Sequence, residues 1–432
     1  MSESPARPPS WQVCLRCGRE LPLSFPKSRC PACSALLEAR HRPPESRGPG
    51  LRDLFAARRG SGESLDASGV WRYRELVLPD AGSGVVTHPE GNTPLLFLSP
   101  VSRWTGIAEL ALKHEGHNPT GSFKDRGMTV GVTVAKRIGA RAVACASTGN
   151  TSASLAAYAA LAEIPALVFV PAGQVAAGKL AQTLAYGART LLVRGDFDAC
   201  FALAREASEK LNVYLLNSVN PYRLEGQKTI LFEALEQLGW EPPDWIALPA
   251  GNLGNTSAFG NALREARELG LISRVPRLAA VQAEGANPFA RGFREGFTRR
   301  HRVKAETAAT AIRIGDPASH DRAVHAIRTT NGVVTDVTDD EILEAKAVVD
   351  ASGAGCEPAS AASVAGVKKL VAQGVIRPGE RVVAILTGHI LKDPGLLLRY
   401  HQETDPAPPR ANRPVEIEPA LSAVEEVLGG EA

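Results

Sequence analysis

The sequence predicts an α/β protein built on helix-covered, mostly parallel sheet, with a small cysteine knuckle in front of it. Short apolar runs rich in Val, Ile and Leu recur at 142–146, 166–170, 190–193, 245–248, 278–281 and 382–386. Runs of four or five residues without polar alternation suit strands buried on both faces. Between them lie amphipathic stretches of helical length, at 125–138, 151–162, 198–211, 226–238, 256–269, 339–352 and 357–373. Strands alternating with helices give a parallel sheet covered by helices. The third observation is a pair of C-x-x-C units near the N-terminus, Cys14-Leu-Arg-Cys17-Gly and Cys30-Pro-Ala-Cys33.

Each element has its own justification. The first unit spans residues 1–40, and twelve residues separate its two cysteine pairs. Two such pairs bring four thiolates tetrahedrally onto one zinc ion, and the glycine after Cys17 suits the turn of a metal knuckle. A closed set of four thiolates leaves no open position, so this zinc is structural rather than catalytic. The bland alternative is four surface cysteines without metal. A Pro, Gly and Arg-rich stretch at 41–50 reads as a linker. The end, from residue 401, opens on Thr404-Asp-Pro-Ala-Pro-Pro-Arg and reads as a flexible tail closed by a short helix near 420–428.

Composition narrows the class. With 432 residues the chain holds two or three domains, and 44% hydrophobic against 22% charged residues is ordinary for a folded soluble protein. A formal net charge of +3 offers no basic surface for nucleic acid or membrane. No apolar run approaches the roughly 20 residues that cross a bilayer. The first ten residues are polar and Pro-rich without an apolar h-region, so no secretory signal is expected and the cytoplasm is the expected compartment.

Four further motifs follow strands and precede helices or end the last strand. In Asn118-Pro-Thr-Gly-Ser-Phe-Lys124-Asp-Arg126, Lys124 falls at a helix start, where the dipole disfavours an ammonium and lowers its pKa. A lysine pushed toward neutrality is what Schiff-base chemistry requires, although most lysines at helix starts are solvated charges. Ser147-Thr-Gly-Asn150-Thr-Ser152 offers backbone N–H groups to a carboxylate, against the commoner reading of plain helix capping. Pro249-Ala-Gly251-Asn252-Leu-Gly254-Asn255-Thr256 lets the backbone approach a phosphate at a helix N-terminus. Its G-x-x-G spacing, without a downstream acid, excludes a dinucleotide fingerprint. Leu386-Thr387-Gly388-His389 ends the last strand, where α/β folds gather ligand groups. His389 alone reads as a structural hydrogen-bonder. An amine, a carboxylate nest and a phosphate nest together describe a site for a phosphorylated aldehyde cofactor and an amino acid.

The segment Asn118–Arg126 resembles the cofactor-lysine motif of the threonine synthases, a family within the tryptophan-synthase-like (fold type II) pyridoxal phosphate enzymes. The similarity runs from Gly91-Asn-Thr-Pro-Leu95 to Leu391-Lys392-Asp393-Pro394 and includes Asn217-Ser-Val-Asn-Pro-Tyr-Arg223-Leu-Glu-Gly-Gln-Lys228. The leading cysteine knuckle is similar to one found at the start of many members. The resemblance implies two helix-covered domains, a large cofactor-binding one (41–125 and 216–400) and a small one (126–215), ahead of the tail at 401–432. It implies pyridoxal 5′-phosphate on Lys124, with Phe123 packing near the ring and Asn150 bonding the phenolic oxygen. The amides of Gly251, Asn252, Leu253, Gly254 and Asn255 hold the cofactor phosphate, and Thr387 faces the pyridine nitrogen. Ser147, Thr148 and Thr151 take the substrate carboxylate, while Asn217, Ser218 and Arg223 grip a substrate phosphate. Leu253 and Ile390 replace smaller residues more usual at those places.

The activity so implied is that of a carbon–oxygen lyase, turning O-phospho-L-homoserine and water into L-threonine and phosphate, in a homodimer with structural Zn2+. A neutral hydroxyl at the pyridine nitrogen would not force ring protonation. The alternatives are a paralogue acting on O-phosphoserine, such as a cysteate-forming enzyme, and a serine/threonine dehydratase. A dehydratase has no substrate phosphate for Arg223 to neutralise. A silent binding protein that uses its zinc knuckle for partners has no reason to keep Lys124.

Overall fold

The computed structural model describes residues 8–173 and 177–429. Residues 1–7 of the expected N-terminal unit, with most of the Pro-rich start, and residues 430–432 of the expected tail lie outside them. Strands β1 (Ser10–Cys14), β2 (Glu20–Pro22) and β3 (Leu37–His41) form a small antiparallel sheet in the order β2-β1-β3. The chain then contributes β4 (Leu95–Leu96) and β5 (Leu110–His114) to one sheet and leaves it for another. That second sheet holds β6 (Ala142–Ala146), β7 (Ala166–Pro171), β8 (Arg189–Val193) and β9 (Val213–Leu215), all parallel, in the order β8-β7-β6-β9. The chain returns as β10 (Trp245–Pro249), β11 (Arg277–Ala283), β12 (Val333–Val337) and β13 (Val382–Leu386). The first sheet is thereby six-stranded, β12-β11-β10-β13-β5-β4, and parallel except for the short edge strand β4.

The strand interiors are apolar because both faces are covered. Every residue of β5, β6, β10 and β13 is buried. Register then decides what meets at the carboxyl edge. Leu386 pairs with His114, so the residue after β13, Thr387, emerges beside the loop that leads to Lys124. Ala247 pairs with Ala384, which brings the loop after Pro249 to the same edge. This edge is where parallel sheets collect ligand groups.

The helices follow the expected spans to within a few residues, with three corrections. Helix Gly48–Arg59 begins inside the expected linker and β3 runs to His41, so only a short stretch between them connects. The helix expected from 226 starts at Pro221, because Pro is favourable in the first turn and Asn220 Oδ1 accepts from the N–H groups of Tyr222 and Arg223. Strands β9 and β12 and the helices Ala177–Ala185, Pro288–Arg294 and His320–Thr329 were not anticipated. The chain up to Lys392 packs as one compact unit and the stretch from Asp393 as a second, whose described helices include Pro394–Leu398 and Leu421–Gly429.

Candidate active site

Lys124 opens the helix Lys124–Arg137, and the sequence before it fixes its place. Thr120 donates both its N–H and its hydroxyl to Asp125, folding the loop back onto the first turn (2.7 and 2.6 Å). The loop is laced to the end of β13: Phe123 N–H donates to Thr387 O at 3.0 Å and His389 N–H to Gly121 O at 2.9 Å. The Lys124 amine is drawn down from its ordinary 10.5 to about 7. Burial is the largest cause and the charge of Arg223 the second, while Glu357 opposes them. The helix start places the lysine; burial and the charge of Arg223 draw it toward neutrality. Its Nζ lies 4.1 Å from the centre of the Phe123 ring.

Asn150 and Thr387, expected at the two ends of a cofactor ring, are joined by a residue the sequence reading passed over. Glu357 is buried, and its carboxylate accepts from Asn150 Nδ2 at 2.9 Å and from the Thr387 hydroxyl at 3.0 Å. Ser360 lies 3.0 Å from the Thr387 hydroxyl on the other side. The only sequence sign of Glu357 was an acid ahead of Pro358, which reads as an ordinary helix start.

Ser147, Thr148, Asn150 and Thr151 lie partly open around the start of the helix Asn150–Ala162. The capping alternative does not hold there: Gly149 stands at the cap and has no side chain to accept from the first turn. Those N–H groups remain available to a carboxylate.

The loop after β10 forms a cradle. Leu253 adopts a left-handed conformation (φ 64°) immediately before the helix Gly254–Glu268. Asn252 fixes the loop from behind, its carbonyl and side-chain oxygens accepting from Ser319 and Ala318 N–H (both 3.2 Å). A Cβ at Gly251 would sit 3.1 Å from Ile312 Cα. Asn255 Oδ1 and the Thr256 hydroxyl are buried without a protein partner. Buried polar atoms of this kind are rarely left unsatisfied, so a polar ligand fits at this helix start.

Arg223 is wholly buried in the helix Pro221–Gln237. Nη1 donates to Leu216 O at 2.9 Å, whereas Nε and Nη2 have no partner among the described residues. Burial draws the guanidinium down to about 10. The expected triad at 217–223 is divided. Asn217 spends its amide on the Ala146 backbone, accepting from N at 3.1 Å and donating to O at 3.0 Å, and so ties the Ser147 loop to the end of β9. Ser218 is half-buried nearby in sequence, and Nε and Nη2 of Arg223 are the buried donors of this segment left without a partner among the described residues.

In the N-terminal unit the sulfurs of Cys14, Cys17, Cys30 and Cys33 all lie within 4.8 Å of one another. Cys14–Cys33 is 3.3 Å, and Cys17 lies 3.7 Å from both Cys30 and Cys33. Tetrahedral Zn–S bonds of about 2.3 Å place sulfurs roughly 3.8 Å apart, so the set fits one zinc ion.

Comparison with known proteins shows the family and the fold. The family model for Pyridoxal-phosphate dependent enzyme matches residues 86–388. The threonine synthase of Methanosarcina acetivorans is 44% identical over 423 residues, covering 97% of this chain and 98% of that protein. The threonine synthase of Methanocaldococcus jannaschii is 42% identical, covering 96% and 99%. Among solved structures, threonine synthase from Escherichia coli superposes with a TM-score of 0.69 over 98% of this chain and all of that one, at 19% identity. Maize serine racemase superposes with a TM-score of 0.62 over 78% of this chain and 96% of that one, at 20% identity. Both structures speak for the fold alone.

Proposed function

Because the chain belongs to the pyridoxal-phosphate dependent enzymes and, within them, to the threonine synthases, we propose that it converts O-phospho-L-homoserine and water to L-threonine and phosphate. The observation that carries the substrate is Arg223, a buried guanidinium with two unpartnered N–H-bearing nitrogens, close enough in charge to depress Lys124. An unpaired buried cation is costly, and a substrate phosphate dianion is the partner that would satisfy it.

The side chains present fit the cofactor. Lys124 would hold its aldehyde, Asn150 and Thr387 its ring, and the 251–255 loop with Thr256 its phosphate. Pyridoxal phosphate, when bound, supplies an electron sink for the negative charge left when a proton leaves a neighbouring carbon. The chain's own residues do the rest. Ser147, Thr148 and Thr151, with the open N–H groups of their helix, hold the substrate carboxylate. Lys124, near neutrality, takes the proton from substrate Cα and serves as the base for the second proton at Cβ. Arg223 neutralises the phosphate as it leaves Cγ; the protons that Lys124 took return at Cγ and Cα, and water adds its hydroxyl at Cβ, where the retained phosphate would help to direct it.

The cysteine knuckle holds one structural zinc ion in this reading, supported by its sulfur spacing. The two sheets are taken as the nuclei of a large domain (41–125 and 216–400) and a small one (126–215). A cytoplasmic homodimer belongs to the same proposal; no helix among the described residues is long and apolar enough to cross a membrane. The test is phosphate release with product identification on O-phospho-L-homoserine against O-phosphoserine. Threonine and phosphate from the first are expected; preference for the second would overturn the substrate.

A further inference from the structure

Glu357 precedes the helix Pro358–Ala372, yet its side chain caps nothing there. The carboxylate turns instead to Asn150 Nδ2 (2.9 Å) and the Thr387 hydroxyl (3.0 Å). Its backbone N–H donates to Gly388 O at 3.0 Å, and a Cβ at Gly388 would fall 2.5 Å from Glu357 Cδ. Only glycine admits the carboxylate at this point. Ser360, one turn further along the helix, accepts from Gly388 N–H at 3.0 Å and lies 3.0 Å from the Thr387 oxygen. The end of β13 is therefore docked onto the start of this helix by these polar contacts, and the carboxylate spans from that dock to the start of the helix Asn150–Ala162.

The hydrogen-bond inventory gives the arrangement a direction. A hydroxyl has one proton and two lone pairs. Thr387 donates to Glu357 and sits in contact with Ser360, which leaves it a lone pair for anything else that approaches. Asn150 gives one amide proton to Glu357 and keeps the other, with its carbonyl oxygen. Among the described residues Glu357 has no ion pair within bonding distance; Lys124 and Lys392 act on it from further off, against a burial that raises its pKa. A carboxylate buried on these terms, at 4% exposure, costs stability that its two hydrogen bonds and the distant lysines offset only in part.

We propose that Glu357 is a positioning residue of the cofactor site, its carboxylate holding the Asn150 amide and the Thr387 hydroxyl in register so that Asn150 meets the ring with its remaining amide proton and Thr387 with its free lone pair. The inference rests on reading Asn150 and Thr387 as ring partners. It makes the three side chains one unit, so their deletions are not independent.

The experiment is dialysis of the loaded enzyme, measuring retained pyridoxal phosphate and the visible band of the lysine-bound cofactor, in Glu357→Ala, Glu357→Gln and Thr387→Val. Glu357→Ala is expected to weaken cofactor retention about tenfold, as for losing one charge-assisted bond. Adding Thr387→Val to it should cost under about twofold more, although Thr387→Val alone costs several-fold. Glu357→Gln keeps the shape and can accept from Asn150 while donating to Thr387. It should hold the cofactor to within about threefold of wild type but turn the Thr387 hydroxyl and shift the pH dependence of the visible band. The groups facing Glu357 in that titration are Lys124, Lys392 and Cys356, with Asn150 and Thr387 as neutral donors. Unchanged retention in Glu357→Ala, or additive losses in the double variant, would overturn the proposal. Should Glu357→Ala not fold, an unshifted band in Glu357→Gln overturns it by itself. Failure of the cofactor reading is seen separately, as wild-type enzyme with no visible band.

Discussion

At Arg223 a guanidinium has given up water and received one carbonyl in return, which leaves Nε and Nη2 without a partner among the described residues. Its planar fork suits a phosphate, and no lysine at that place would present the same pair of donors. Arg223→Ala should therefore leave the visible cofactor band intact. It should lower kcat/KM on O-phospho-L-homoserine by roughly 2–5 kcal/mol of transition-state stabilisation. Steady-state kinetics checks it, and an unchanged kcat/KM would move the phosphate elsewhere. Lys124 carries a pH signature of its own. The unfolded chain keeps the lysine proton up to about 10.5, the folded cofactor-free protein only up to about 7. Between those values the unfolded state binds more protons, so this residue's contribution to stability rises with pH. Lys124→Met removes the effect. In urea unfolding of cofactor-free protein it should be more stable than wild type at pH 7, with the gap narrowing by on the order of 3 kcal/mol toward pH 10.

The element that gives both residues their place is the crossing of the helices Lys124–Arg137 and Pro221–Gln237. A Cβ at Gly226 would lie 1.7 Å from Arg126 O, and one at Gly127 would lie 2.9 Å from Arg223 O. The backbones thus touch where Lys124 and Arg223 diverge. Gly226→Ala should push the helices apart and cost about 3 kcal/mol or more, seen as a lower urea midpoint. Little of this crossing was legible in the sequence, because glycines inside amphipathic stretches read only as weak helix positions. The motifs at 118–126, 147–152, 249–256 and 386–389 were legible, since small and polar residues interrupt apolar runs at strand ends. Strand β12 was hidden by Thr335 and Asp336, whose polarity breaks the run; Asp336 is buried because Asn287 and Arg294 meet it. The start at Pro221 was hidden because Asn220 looks like a loop residue until its side chain is seen capping the helix. Glu357 could not be found at all from its neighbours, since its partner Asn150 lies 207 residues away.

On the scale of the whole molecule, the N-terminal sheet is fastened to helices that pack beside the candidate site. His41 Nε2 lies 2.8 Å from Glu225, which pairs with Lys228 at 2.6 Å, and Lys228 in turn reaches Glu265 at 2.7 Å. Glu38 meets Asn261, and Arg322 donates to Leu37 O. The knuckle thus rests on three helices, those containing Arg223, Glu265 and Arg322. Whether loosening it disturbs catalysis depends on which face it grips. Arg223 and Glu225 are two residues apart, about 200° around a helix, so the knuckle holds the side away from the phosphate donors. Replacing Cys17 and Cys30 with Ser should abolish zinc binding, because two of four thiolates cannot close the site. The four cysteines hold the β1–β3 turns together around a very small apolar cluster, so without metal this sheet should open. Hydrogen exchange should then rise across residues 8–41, and the melting temperature should fall by several degrees, while kcat/KM changes less than about threefold. Zinc analysis of wild-type protein purified without chelator should give one ion per chain. A loss of kcat/KM as large as that of Arg223→Ala would mean that the knuckle steers the phosphate donors through the helix, and the opposite-face argument would fail.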